Sequence, residues 1–360
     1  MTPSIKASVN AYEAWLQTAL GDDLVKDDLK KKHQRMKEGA FPFLRATYWR
    51  WAEIIAEICP DLMAAPPVLA IGDTHVENFG CWRDAEGRLV WGANDFDDAA
   101  VMPYPLDLVR LATSALLARK GDNPDYGQVC DSILSGYVAG LADPQPFILE
   151  RDHAWLREAV LLPEEERAEF WSKYDKPDDP WIRSRYLGLL RDALPGPSAP
   201  FVAFPRSAGL GSLGRPRFVA RTNWRGGPVL REAKAVVVSA WVLRHGGDPA
   251  IRIGDIAEGA FRAVDPHYRV ADGVVVRRLS PSSRKIEAKD KNAEDKLLSL
   301  DMLTAMGREI AACHSGDRDR ASALGEHLRR LPPGWLQDHA RAAANRIEAE
   351  QAAFVRSGGD

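Results

Sequence analysis

Two short polar motifs stand close together in this sequence, GDTHVENFG at 72–80 and NDFDDA at 94–99. The first puts an acid, Asp73, five residues before an amide, Asn78, and the second puts another acid, Asp95, about twenty residues further on. Moving a phosphoryl group asks little covalent chemistry of a protein. It needs an acid to orient the acceptor hydroxyl, hard oxygen ligands for Mg²⁺, and positive or N–H groups around the phosphates. Asp73 fits the orienting acid, and Asn78 and Asp95 offer the hard oxygens. His75, between them, either touches the acceptor or braces the loop. Taken singly each motif has an ordinary explanation: Asp73 and Asn78 as partners in a hydrogen-bonded turn, NDFDD as an acidic hairpin end. Taken together, each after a strand, they point to phosphate–metal chemistry.

The elements that must position these residues are legible in outline. PVLAIGD reads as a short buried strand stopped by Gly72, and CWRDAEGRLVWGANDF as a hairpin turning at Asp84 to Gly87. Asp107 to Lys120 is patterned as an amphipathic helix, with Asp107 placed to cap it after Pro105. Residues 8–58 read as helical, the run KDDLKKKHQRMK being a solvated helix face, and a further helical region runs to about Ala193. LPGPSAP (194–200) is the clearest linker. Beyond it the chain turns glycine- and arginine-rich, with strand-like runs at Arg217–Arg221, Pro228–Glu232 and Val274–Leu279, before becoming helical again from Asp295. GLGSLG supplies Gly209, Gly211, Ser212 and Gly214 between two such runs. No clear helix start follows it, so it suits a β-hairpin lid over phosphates better than a dinucleotide-binding turn. Arg231 and Lys234, on the next strand, are the phosphate-contacting cations this reading requires.

Bulk composition narrows the classes. The chain has 360 residues, 45% hydrophobic and 28% charged, enough to bury a large core, and a formal charge of -3 with the signs interleaved. Nothing marks a nucleic-acid binder. Four widely spaced cysteines form no C-x-x-C pair and read as reduced thiols. The N-terminus lacks an export pattern, and no apolar run is long enough to span a membrane. The expectation is a cytoplasmic protein without membrane partners.

GDTHVENFG followed by NDFDDA resembles the loop pair of aminoglycoside phosphotransferases and choline-kinase-like enzymes, roughly HGDxHxxN then IDFDxA. It is closer still to an uncharacterised bacterial domain-of-unknown-function family with the signature GDxHxxNFG then NDFDE. The likeness to that family extends to FPFLRA (41–46), PYPLDLVRLATS (103–114), GLGSLG, REAK (231–234), VVVRRL (274–279) and ACHSGD (312–317). The resemblance implies Asp73 as catalytic acid, and Asn78 and Asp95 as metal ligands with Asp97 assisting. It also implies Asp107 as a buried acid bracing the catalytic loop. It places a lysine where this chain has Arg231, which is not an equivalent cation. Arg45, Arg277 and Arg278 read as salt-bridge partners, and His314 as a core or helix-end contact.

The resemblance thus implies an α+β, two-lobed, kinase/aminoglycoside-phosphotransferase-like fold. A helical lobe (1–200) would carry the catalytic loops, a β-rich lobe (201–280) the glycine loop, and C-terminal helices (281–360) would pack on the helical lobe. Because the glycine loop follows Asp73 here, both assignments together require lobes circularly permuted relative to a kinase. A structure whose residues 205–280 do not form a sheet facing Asp73 and Asp95 would exclude this. The expected activity is Mg-ATP-dependent phosphoryl transfer to a small-molecule hydroxyl. The rivals are a metallophosphoesterase, a dehalogenase-type phosphatase with Asp95 as nucleophile, and a kinase-shaped protein that holds nucleotide without turnover.

Overall fold

The computed structural model describes residues 2–121, 124–179, 181–196, 198–283, 285–286, 293–316 and 318–358. Pro197 of the linker and Asp317 of ACHSGD therefore lie outside the described residues. The chain opens with four helices, α1 (Ile5–Leu20), α2 (Lys26–Lys37), α3 (Ala40–Ala46) and α4 (Tyr48–Ile58). Four short strands follow: β1 (Pro67–Ala70), β2 (Phe79–Arg83), β3 (Leu89–Ala93) and β4 (Ala100–Pro103). Then come α5 (Pro105–Ala118), α6 (Tyr126–Ala142), β5 (Phe147–Ile148), α7 (Ala154–Val160), α8 (Glu164–Lys173) and α9 (Ser184–Ala193). The second half holds β6 (Phe201–Pro205), β7 (Arg217–Trp224), β8 (Gly227–Ala235), α10 (Ala240–His245), α11 (Ile253–Ala257), β9 (Arg269–Ala271) and β10 (Val274–Leu279). It closes with α12 (Ala293–Leu297), α13 (Leu300–Ser315), α14 (Arg318–Leu328) and α15 (Trp335–Arg356). The class is mixed α+β, and no helix among the described residues is long and apolar enough to cross a membrane.

Three antiparallel sheets form. β1 pairs with β4, β2–β3–β5 make a three-stranded sheet, and β6–β7–β8–β10–β9 make a five-stranded one spanning 201–279. The β7–β8 hairpin turns at Arg225 and Gly226, whose φ values of 47° and 89° place both central residues in the left-handed region that a tight two-residue hairpin needs. Strand alternation gives the five-stranded sheet two different faces. One carries Ala203, Ala220, Ala233, Ala235, Val274 and Val276 against Tyr186 and Leu190 of α9. The other carries Phe204, Val219, Leu230 and Leu279 beside Tyr174. α9 thus packs on the β-rich unit, although its sequence position falls within the helical segment expected to end at 200.

The main core joins α3–α6, β1–β4 and α13–α15. α6 and α13 cross backbone to backbone. A Cβ on Gly136 would lie 2.0 Å from the Thr304 carbonyl oxygen, and one on Gly307 would lie 2.1 Å from that of Ile133. This close crossing sets the height of α13, which reaches beneath both motifs through Glu309 and His314. All four cysteines are buried free thiols.

Candidate functional site

The segment after β1 is held from below by α5. Asp107, fully buried in the first turn of that helix, accepts hydrogen bonds from the backbone N–H of Ile71 (2.8 Å) and of Gly72 (3.0 Å). His314 Nε2 donates to the same carboxylate at 3.0 Å, while Tyr137 donates its hydroxyl to His314 Nδ1 at 3.0 Å. The helix cap is Tyr104, so Asp107 spends its oxygens on the loop rather than on its own helix end. Gly72 has φ +83°, and any Cβ there would meet the Asp98 carbonyl oxygen at 2.3 Å. The loop is thereby fixed against both its neighbours.

Asp73 emerges from this brace. Its Oδ1 accepts from Arg110 Nε at 2.9 Å, and Arg110, itself wholly buried, also donates to the Leu44 carbonyl and lies against the Tyr48 and Trp51 rings. Burial raises the Asp73 carboxyl above its ordinary range, and the Arg110 charge opposes that shift. Asn78 ties the two motifs together. Its Nδ2 donates to the carbonyls of Asp73 (2.9 Å) and Asp95 (3.0 Å). Its Oδ1 is buried and has no hydrogen-bond partner among the described residues, an arrangement suited to an oxygen kept for a ligand.

The five-stranded sheet meets this pair of loops through Lys234. Its Nζ lies 3.2 Å from Asp95 Oδ1 and also bonds Asp97 Oδ1, across more than a hundred residues of chain. Asp97 gives its other oxygen to Arg215 at 3.2 Å. Both Asp97 oxygens are committed to cations, so Asp97 stands as a partner of Lys234 and Arg215 rather than as an open metal ligand. Burial would raise Asp95, but Lys234, Lys285, Arg277 and Arg217 outweigh it and hold the carboxyl well below the usual carboxylate range. Asp95 therefore stays ionised, its Oδ2 makes no hydrogen bond among the described residues, and its backbone carbonyl is held by Asn78. Those two residues are the ones chemically suited to a hard cation such as Mg²⁺.

Arg231 is a correction. Three residues from Lys234 on the same strand, it points to the opposite face, where its guanidinium donates to the Ala193 carbonyl (2.9 Å) on α9 and to the Leu230 carbonyl (2.9 Å). Lys234, not Arg231, is the residue of this strand that reaches the acidic loops. Beside it on β8, Glu232 is fully buried and gathers Arg206, Arg217 and Arg277. His75 braces the loop, its Nδ1 accepting from the Glu77 N–H at 3.2 Å. Burial, with Arg45, Lys285 and Arg110 nearby, pushes the imidazole well below its ordinary pKa, so it is neutral with its proton on Nε2. Arg45 pairs with Glu77, and Arg278 with Asp265.

The glycine-rich segment is the loop joining β6 to β7. The Ser212 hydroxyl donates to the Gly209 carbonyl and accepts from Arg217. Gly211 rests directly on the acid: a Cβ there would be 3.3 Å from Asp73 Oδ2 and 3.2 Å from the Arg45 carbonyl. The N-terminal helices hold the loop from outside. Lys32 Nζ donates to the Gly211 carbonyl (3.0 Å), the Val25 N–H donates to that of Gly214 (2.9 Å), and Leu29 fills the space against Gly214. The structure thus brings Asp73, Asn78, Asp95, Asp97, Lys234 and the glycine loop together, and leaves Arg231 outside.

Sequence reasoning missed four contributors: Arg110, Arg215, Lys32 and Lys285. Arg110 had a signal, since it lies three residues after Asp107 and so on the same helical face. Lys32 was absorbed into a solvated charge run, yet it is 1% exposed and sits by the stacked rings of Tyr12 and Trp49. Beside the loops opens a cleft of about 1040 Å³. Phe170, Tyr174, Phe204 and Leu279 line it at one end, and Asn94, Phe96 and Lys285 line it beside the second motif.

Residues 24–146, which hold α2 to α6 and both acidic motifs, match the model of a family described as "Uncharacterized protein conserved in bacteria (DUF2252)". No curated protein matches the chain. No solved structure matches it either. The first half of the chain is therefore similar to that bacterial family over the segment that builds the acidic loops.

Proposed function

We propose that this protein is a Mg-ATP-dependent phosphotransferase acting on a hydroxyl of a small molecule, with a permuted kinase-like arrangement of lobes. The observation that carries the reading is Asn78: its amide locks the Asp73 and Asp95 loops together while its buried oxygen has no partner among the described residues. The order of parts in the five-stranded sheet supports the same reading, with a glycine-rich hairpin loop on its first two strands and a lysine on the third that reaches Asp95.

In this account Asn78 and Asp95 hold Mg²⁺, which when bound neutralises charge on the nucleotide phosphates. Asp73, held by Arg110, accepts the acceptor hydroxyl's hydrogen bond and orients its oxygen toward the phosphorus. Lys234 supplies a positive charge at the phosphates. The 209–214 loop closes over them and excludes water. The aromatic end of the cleft, formed by Phe170, Tyr174 and Phe204, offers the flat apolar surface a nucleobase requires.

The rivals lose support. Every strand pairing among the described residues is antiparallel, unlike the parallel sheet a dehalogenase-type nucleophile needs. No group of three or more His, Cys, Asp or Glu side chains is placed to hold a metal among the described residues, as a metallophosphoesterase would require. The argument for a binding protein without turnover rested on Arg231, which does not face the cleft. The test is transfer from γ-labelled ATP into a panel of hydroxylated small molecules. Asp73→Asn should lower kcat by about 10²–10⁴ while nucleotide affinity stays within about threefold, as for a group used in the transition state. Normal turnover by that variant would remove Asp73 from the role.

A further inference from the structure

Cations are plentiful in the cleft and on the loops and strands beside it, but most of them are already spent. Lys234 is shared by Asp95 and Asp97, and Arg215 is held by Asp97. Arg206, Arg217 and Arg277 converge on Glu232, while Arg262 is paired with Glu309, Arg278 with Asp265 and Arg45 with Glu77. Lys285 differs. It lines the cleft, is half-buried, and has neither an ion pair nor a side-chain hydrogen bond among the described residues. Its backbone is fixed by a bridge to Gly80, two residues beyond Asn78, and so it belongs to the same framework as the metal-suited oxygens. The charges that act on its amine are Asp95, with Arg277, Lys234 and Arg45 on the other side of the balance.

We infer that Lys285 is a phosphate-binding residue of the nucleotide cleft: unlike Lys176, which is exposed and lies over the Phe204 ring, it is a half-buried cation with no carboxylate bonded to it among the described residues, so that a polyphosphate can take it. This rests on the proposed nucleotide reading of the same cleft. A polyphosphate entering between the aromatic end and the Asp95 loop brings negative charge into a site whose other cations must give up carboxylate partners to meet it. Lys285 has no hydrogen-bonded carboxylate among the described residues to release, so its contact adds to binding with less compensating loss than theirs. The residue acts on the phosphate part of the ligand and leaves the base and ribose untouched.

Equilibrium dialysis of the full chain with radiolabelled MgATP and, separately, adenosine tests this. Lys285→Gln should weaken MgATP binding by about tenfold or more (about 1.4 kcal/mol for each factor of ten) and leave adenosine binding within about twofold. Lys285→Arg, which keeps the charge, should restore most of the MgATP affinity. Wild-type MgATP affinity in the Gln variant, beside loss of binding in Asp95→Asn, would overturn the Lys285 assignment and leave the nucleotide reading standing. Equal losses for MgATP and adenosine would also overturn it, because they mark a change of cleft shape. Absence of MgATP binding by the folded wild type would remove both.

Discussion

At the residue scale the site depends on a few buried polar groups that each serve two elements. Asp107 accepts from two loop N–H groups and from His314, all without water. Asp107→Asn would turn an amide N–H₂ toward one of those donors and leave a buried group unpaired, which costs roughly 1–3 kcal/mol. Chemical denaturation should show a loss in that range, and the variant should lose turnover as well, because the 71–75 loop is no longer held. An unchanged denaturation midpoint with normal turnover would show the brace to be dispensable. Lys32 makes a prediction about pH. Burial, with Arg215 nearby, pulls its pKa down from 10.5 to about 7. The unfolded chain therefore binds a proton that the folded chain releases between those two values. Its effect is a cost that grows as pH falls from 10.5 toward 7 and is complete below 7. Thermal unfolding followed from pH 7 to 10 should show wild type gaining stability relative to Lys32→Met across that window; a constant difference would contradict the assignment.

At the scale of elements, the glycine loop is the part that most needs its sequence. Gly211 sits between Asp73 and the Arg45 carbonyl with no room for a methyl group at ordinary contact distance. Gly211→Ala should lift the loop from the acid and lower kcat by at least about tenfold, more than any accompanying loss of global stability accounts for. Steady-state kinetics beside a denaturation curve separates the two effects. Much of this scale was legible beforehand. Strands at 217–221, 228–232 and 274–279, the hairpin before NDFDDA and the helix after Pro105 all follow from period and turn residues. Strand parity was available too and went unused: residues 231 and 234 cannot share a face, which removes Arg231 from the cleft. The anchoring of the loop by α1 and α2 was not legible, because pairs such as Lys32 with Gly211 join segments far apart in the chain, and local pattern carries no such contact.

For the whole molecule, the sheet at 201–279 and the loops at 72–98 meet although the segment carrying the glycine loop and lysine follows the acidic motifs. The ion pairs of Lys234 with Asp95 and Asp97, and of Arg215 with Asp97, span that distance, so ligand binding should couple the two parts. MgATP at a hundred times its Kd should raise unfolding free energy by about 2.7 kcal/mol if binding belongs only to the folded chain. The cross-chain pairing was anticipated from motif order. The neutralising partners Arg215 and Glu232 emerged only from packing, since a charged residue in sequence does not show whether it will be buried against an opposite charge. The central claim is a nucleotide site built on Asp95 and Asn78, and calorimetric titration of ATP into wild type and Asp95→Asn, each with and without Mg²⁺, tests it most directly. The account predicts binding by wild type that requires Mg²⁺ and is abolished in Asp95→Asn. Binding that is indifferent to both Mg²⁺ and Asp95, or no binding by the well-folded wild type, would contradict it.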